Sequence, residues 1–201
     1  MTIRLLGNFK FNHKTLIGLS GAARSGKDTT GAILASKLGY KTYSLASPIK
    51  VVCNDLFGWD DRHSNGELKE VVDEFWGISP RYAYQTLGTE WGRNLICDDI
   101  WLRRANLIYK KEGALIVTDI RFQNEADFIR SNGGQIIHII RDGAEKVLQH
   151  SSESGIDQKP EDVILYNNSS LEILEANVDG LCSFFKMDSH PSALDINGDL
   201  T

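Results

Sequence analysis

Cysteine is scarce: Cys53, Cys97 and Cys182 are the three in 201 residues. An odd number at wide spacing builds neither a disulfide framework nor a metal site, so three buried thiols in a reducing compartment, by default the cytoplasm, are expected. Long apolar runs are missing as well. No stretch approaches the roughly 20 residues of a membrane span, and Met1-Thr2-Ile3-Arg4 does not read as the opening of a signal peptide. Positive charge is in deficit, 22 Lys and Arg against 27 Asp and Glu, and a formal charge of -5 disfavours non-specific binding to nucleic acid. A protein of this balance that handles phosphates must concentrate its cations locally. There is no internal repeat and no low-complexity linker, so a single domain over 1–201 is expected. Whether it is a monomer or a homodimer stays open.

What is present is an alternation of short apolar runs and helical patterns. Thr15–Ser20 reads as a buried parallel strand, followed by a glycine-containing loop and a helix over Asp28–Leu38 that Gly39 closes. Lys41–Leu45 reads as a weaker strand and Pro48–Phe57 as a helix capped by Ser47. Gly58–Ser79 is polar, with a helical pattern around Leu68–Phe75. Ser79-Pro80 has the serine-then-proline signature of a helix start. Asp99–Lys111 is a further helix, Ala114–Thr118 the clearest core strand, ending at Asp119, and Asn124–Ser131 a helix stopped by Gly133-Gly134. Gln135–Ile140 and Val163–Tyr166 are strands flanking a polar loop, and Ser170–Phe185 is the last helix. The tail 187–201 is expected to fray. This order implies an α/β fold, a parallel sheet flanked by helices, whose ligands bind beyond the carboxyl ends of the strands. Ser20, Thr118 and Arg141 all fall there.

Gly21-Ala-Ala-Arg-Ser-Gly26-Lys27 fits the G-x-x-x-x-G-K pattern between a strand and a helix. Its glycines let backbone N–H groups turn toward phosphate oxygens, the helix adds its positive end, and Lys27 is placed to reach the β- and γ-phosphates of ATP. Gly21, Arg24, Ser25, Gly26, Lys27, Asp28 and Thr29 are therefore the candidate ATP-binding residues. The motif departs from its common form in one place: Asp28 stands where Ser or Thr is usual. A carboxylate beside a triphosphate is repelled unless a cation lies between them, so Asp28 is either a Mg²⁺ ligand or a first-turn carboxylate favoured by the helix dipole. Further along, Tyr84, Leu87, Trp91 and Leu95 recur at helical spacing as a core-facing stripe. Gln85, Thr89 and Arg93 line up on another face beside Gly88, as recognition of a base and a phosphate would need, or as a solvated face would show.

Gly21–Thr30, Ser44–Lys50 (S-L-A-S-P-I-K), Gln85–Arg93 (Q-T-L-G-T-E-W-G-R), Asp99-Ile-Trp101, Val117–Glu125 (V-T-D-I-R-F-Q-N-E), His150–Glu153 and Asp162–Asn167 together resemble segments of the deoxynucleoside monophosphate kinases of tailed bacteriophages, P-loop proteins of adenylate-kinase type. The resemblance implies a core, an acceptor-binding excursion over about 47–98 and a lid over about 141–160. It implies Lys50, Arg93 and Arg121 as contacts to the acceptor or the transferring phosphate, Gln85 as a base contact, and Asp119 as a Walker-B-type carboxylate holding Mg²⁺ through water or else a helix cap. Arg141 is either a lid residue closing over the transferring phosphate or a surface charge, Asn167 a neighbour of adenine, and His150 a loop hydrogen-bonder or a catalytic group.

Phosphoryl transfer passes through a loose transition state with charge spread over the γ-oxygens, so catalysis is positioning plus charge and needs no protein nucleophile. An acceptor phosphate is already an anion and needs no general base. Lys27, Arg93, Arg121 and Arg141 with Mg²⁺ would supply the positive charge, and a lid would exclude water. The expected reaction is transfer from ATP to a deoxynucleoside monophosphate in the cytoplasm, that of the host if the chain is viral, with no nucleic-acid or membrane partner. Two other readings stand beside it: a different small-molecule kinase such as a phosphomevalonate kinase, which shares the S-G-K-D loop, and a nucleotide-binding regulatory switch.

Overall fold

The computed structural model describes residues 3–5, 15–144 and 155–186. His150, Ser152 and Glu153, the middle of the expected lid and the tail 187–201 lie outside the described residues. Six strands form one sheet in the order β1-β6-β5-β2-β4-β3. These are β1 (Ile3–Leu5), β2 (Leu16–Ser20), β3 (Lys41–Tyr43), β4 (Leu115–Ile120), β5 (Gln135–Ile140) and β6 (Val163–Tyr166). Five run parallel, with Gly18 opposite both Val117 and Ile136 at the centre. β1, which the sequence pattern did not signal, adds an antiparallel edge against β6. β4 runs two residues past its expected end and takes Asp119 into the strand.

Side chains alternate across the sheet, so each strand feeds two cores. On one face Ile17, Leu19, Ile116, Ile137 and Ile139 pack with α1 (Lys27–Leu38) and α7 (Leu171–Lys186), where Phe185 is fully buried. On the other, Leu16, Val117 and Ile136 pack with α2 (Ser47–Phe57), α5 (Ile100–Glu112) and α6 (Gln123–Ser131). Gly18 admits α6 closely, since a Cβ there would meet Ile136 Cδ1 at 2.8 Å and Ile129 Cγ1 at 3.1 Å.

The excursion between β3 and β4 departs most from expectation. α2 begins at Ser47 with Ala46 in the cap position and no side-chain cap; Asp119 takes the N–H groups of Leu45 and Ala46 in the turn just before the helix. The segment 58–79 forms a short α3 (Asp61–Ser64) and a 3₁₀ turn (Glu67–Glu70), not the expected helix over 68–75. There Asp73 accepts the backbone N–H groups of Phe75 and Trp76 and the indole N–H of Trp59, a side-chain competitor that favours a turn. α4 (Pro80–Gln85) starts as read, with Ser79 Oγ accepting from Tyr82 N at 3.3 Å, and passes directly into a π-helix over Thr86–Ile96. Closing the ladder i→i+5 widens each turn, so residues three or seven apart no longer share a face while those four apart still do. The expected stripe is therefore split: Tyr84 is buried with Gly88 and Gly92, while Trp91 and Leu95 are exposed on another face. Two glycines let the wide helix lie against Ile49 and Trp101, where added Cβ atoms would come within 2.8 and 2.7 Å.

Candidate active site

The phosphate loop has the backbone its motif requires. Gly21 and Gly26 take φ of 156° and 99°, and Arg24, at φ 61°, is left-handed without being glycine. A side chain at Gly26 would strike Asn167, and one at Gly21 the carbonyl of Ile139. Lys27 folds back on the loop, its Nζ donating to Gly21 O at 2.8 Å and Ala22 O at 2.6 Å. Ser25 is buried, and its Oγ has no hydrogen-bond partner among the described residues. Asp28 and Thr29 lie exposed in the first turn of α1. Asn167, expected near adenine, braces the loop: its amide donates to Ser25 O at 2.8 Å, and its backbone N–H to Ile140 O.

A cavity of about 590 Å³ opens between this loop and the excursion. Arg24, Lys27 and Asp28 line its loop side, while Lys50, Gln85, Thr89, Arg93, Asp119 and Arg121 line the rest. The face of Gln85, Thr89 and Arg93 thus points into a cavity and not into solvent, because residues four apart stay aligned even on the widened helix. Arg141 is exposed at the end of β5 and outside the cavity walls. Of the aromatic residues able to wall a sugar, Tyr84 and Trp101 line the cavity, whereas Tyr82 and Trp91 are exposed elsewhere. Trp101 is held by its indole N–H on Gly88 O at 2.8 Å.

Asp119 carries three hydrogen bonds: from Leu45 N at 2.7 Å, Ser44 Oγ at 2.7 Å and Ala46 N at 3.1 Å. It therefore fixes the turn that launches α2, and Lys50 with it, and does not cap the helix that follows β4. A carboxylate has about four lone-pair sites, so little of Asp119 is left for a metal beyond one water-mediated contact. Asp28 is the accessible carboxylate. Both act on Lys50, whose ammonium burial pushes below the usual lysine range while Asp119 and Asp28 hold it up.

Sequence reading overlooked Glu125 as a site residue. It is 2% exposed, ion-pairs with Arg93, and accepts from Arg121 N at 2.7 Å and Phe122 N at 3.0 Å. Arg93 also donates to Asp98 O at 3.0 Å, and its guanidinium lies 4.0 Å from the centroid of the Phe122 ring. Burial pushes the Glu125 carboxyl upward, against the two backbone N–H groups and the Arg93 charge. Lys69 and Arg81 were overlooked too; both line the cavity, and Arg81 pairs with Glu70. Glu125 lay inside the T-D-I-R-F-Q-N-E segment and was legible there. Lys69 had no motif around it.

A strand–loop–helix phosphate cradle at the carboxyl edge of a parallel sheet, opening on a cavity rich in cations, defines a P-loop kinase, an ATP-dependent phosphotransferase. Comparison with known proteins narrows the class. The profile of the family described as "Deoxynucleotide monophosphate kinase" matches residues 15–78 and 61–178. A protein of Acanthamoeba polyphaga mimivirus is 35% identical over 174 residues, covering 78% of this chain and 90% of its own. The deoxynucleotide monophosphate kinase of Enterobacteria phage T4 is 24% identical over 234 residues, covering 81% of this chain and 96% of its own. Among solved structures, dephospho-CoA kinase from Campylobacter jejuni aligns with a TM-score of 0.46 and 16% identity, over 85% of this chain and 96% of that one. The chain belongs to the deoxynucleotide monophosphate kinase family.

Proposed function

We propose that the chain moves the γ-phosphoryl group of ATP onto the phosphate of a deoxynucleoside monophosphate, giving ADP and the deoxynucleoside diphosphate. The observation that carries this reading is the cavity itself, in which the loop residues Lys27 and Asp28 share walls with Lys50, Gln85, Arg93 and Arg121. In the reading, the backbone of Gly21–Gly26 cradles the donor phosphates, and Lys27 exchanges its loop carbonyls for their oxygens. Thr29 stands beside the same phosphates. Lys50, Arg93 and Arg121 receive the acceptor phosphate and the charge that develops as it attacks. Arg93 is preorganised for this by Glu125, so little reorganisation accompanies the reaction. Gln85 offers a donor and an acceptor to the base edge, and one rotating amide suits more than one base.

The donor set fits Mg²⁺, a hard cation that takes oxygen ligands and keeps several waters. Asp28 would hold it directly or through water, with Asp119 as an outer partner, and when bound it offsets the charge between the donor and acceptor oxygens. Arg141 acts only if the lid over 141–160 carries it in. Asn167 supports the ATP side by holding the loop at Gly26. The protein works on small molecules in the cytoplasm, that of the host if the chain is viral, without a nucleic-acid or membrane partner; among the described residues no helix is long and apolar enough to cross a membrane.

The test is acceptor-dependent ADP release across the common deoxy- and ribonucleoside monophosphates at saturating ATP and Mg²⁺. Turnover of more than one deoxynucleotide is expected. A 2′-hydroxyl set against an apolar wall such as Trp101 loses water hydrogen bonds, about 1–3 kcal/mol, so ribonucleotides should fall roughly ten- to a hundredfold in kcat/KM. Activity confined to ribonucleotides, or turnover of phosphomevalonate alone, would overturn the proposal.

A further inference from the structure

The 3₁₀ turn of the excursion brings Lys69 into the cavity wall, half-buried, from a segment with no recognisable motif. Its ammonium group makes no hydrogen bond or ion pair among the described residues. The charges acting on it are those of Arg81, Lys50, Arg121 and Glu70, three of them of its own sign. Of the cavity's carboxylates, Asp28 lies on the phosphate loop and is not among the charges acting on Lys69, and the other three are engaged elsewhere. Glu70 pairs with Arg81, Glu125 with Arg93, and Asp119 with the Ser44–Ala46 turn, while Lys50 rests on the neutral Asn65 Oδ1 at 2.5 Å. An ammonium removed from water among like charges is costly unless an anion joins it. Burial and the three cations accordingly push Lys69 below the usual lysine range.

We infer that Lys69 binds the phosphate monoester of the acceptor, with Lys50 and Arg121, and so makes the site choose a nucleotide over the unphosphorylated nucleoside. A monophosphate carries about -1.5 to -2 charges at neutral pH and three acceptor oxygens, which matches a cluster with donors to spare. Lys69 stands on the excursion with Lys50 and Arg81, whereas the donor phosphates belong to the loop at Lys27, so the acceptor is the occupant. This assignment rests on the kinase reading above and adds a residue that determines what it accepts.

The experiment compares wild type with Lys69→Gln and Lys69→Arg. Steady-state kinetics give KM for a deoxynucleoside monophosphate and for ATP, and calorimetry gives the affinities for that monophosphate and for its nucleoside. A hydrogen bond to a charged group supports roughly a ten- to hundredfold change, so Lys69→Gln should raise the monophosphate KM by that factor. KM for ATP and nucleoside affinity should stay within about twofold, and Lys69→Arg should recover part of the loss. Equal losses for nucleotide and nucleoside, or an unchanged monophosphate KM, would overturn the inference. If wild type releases no ADP with any monophosphate, the kinase reading fails by itself. Calorimetric preference for the monophosphate, lost in Lys69→Gln, would then still uphold Lys69 as a phosphate-monoester residue, and no such preference would reject it.

Discussion

Glu125 illustrates how a buried carboxylate shapes this site through the groups it holds. Its carboxylate sits where β4 gives way to α6, closes the first turn of that helix through Phe122 N, and holds Arg93 from the π-helix on the facing wall. Two segments far apart in sequence meet at one buried charge pair. Removing one member of such a pair strands the other away from water, typically at about 3–5 kcal/mol. Glu125→Gln should therefore lower unfolding stability by about that much at neutral pH, since Arg93 is left only 10% exposed with its charge uncompensated. In a double-mutant cycle, Arg93→Met should cost far less in the Glu125→Gln background than in wild type, read by urea denaturation. Additive losses would mean that the two side chains act independently. The three thiols are quiet by comparison. Cys53 and Cys182 are buried as expected, with Cys53 pushed up to about 11 by burial, while Cys97 is only partly covered and donates to Asp99 Oδ1 at 2.6 Å.

Between elements, a second buried network joins α6, β5 and β6 on the side of the sheet away from the phosphate loop. Asp162, fully buried, accepts from Arg130 Nη2 at 2.7 Å, from His138 Nε2 at 2.8 Å and from Lys159 N at 2.9 Å. Burial pushes its carboxyl up, but the hydrogen bonds from His138 and Arg130 outweigh burial and leave it below the usual range. A depressed folded pKa contributes stability above the unfolded value of about 3.9, and that contribution is lost as pH falls through the folded one. Asp162→Asn should cost about 3–5 kcal/mol at pH 7, and the gap to wild type should narrow as pH is taken below about 4. A gap independent of pH would show that the charge is not what holds these elements together. Asp162 was legible only as a member of a family-like segment, because its partners Arg130 and His138 are 32 and 24 residues away. The π-helix was illegible for a different reason. Periodicity assumes the α-helical turn, and the cue that broke it was a pair of buried glycines, Gly88 and Gly92, each seated against a large side chain.

Across the whole molecule, what the sequence disclosed follows the locality of the signal. The strand–loop–helix at Gly21–Lys27 and the five parallel strands are local patterns of apolar residues and glycine, and they stand within a residue or two of where they were read, whereas the antiparallel edge strand β1 gave no such pattern. Lys50, Gln85, Arg93, Asp119 and Arg121 converge on one cavity because the parallel topology brings the carboxyl ends of β2 and β4 beside the excursion. The inner wall of the excursion was not readable, since it depends on how 58–79 folds back, and no periodic pattern carries that. Arg141 likewise lies outside the cavity walls, exposed just past the end of β5. All these features bear on one claim, that the cavity delivers a phosphoryl group to a nucleotide and not to water. The direct test follows ATP labelled in its γ-phosphate, with Mg²⁺ and a deoxynucleoside monophosphate. The account predicts that the label appears in the deoxynucleoside diphosphate, one for each ADP formed. Label released only as inorganic phosphate, at a rate indifferent to the monophosphate, would contradict it.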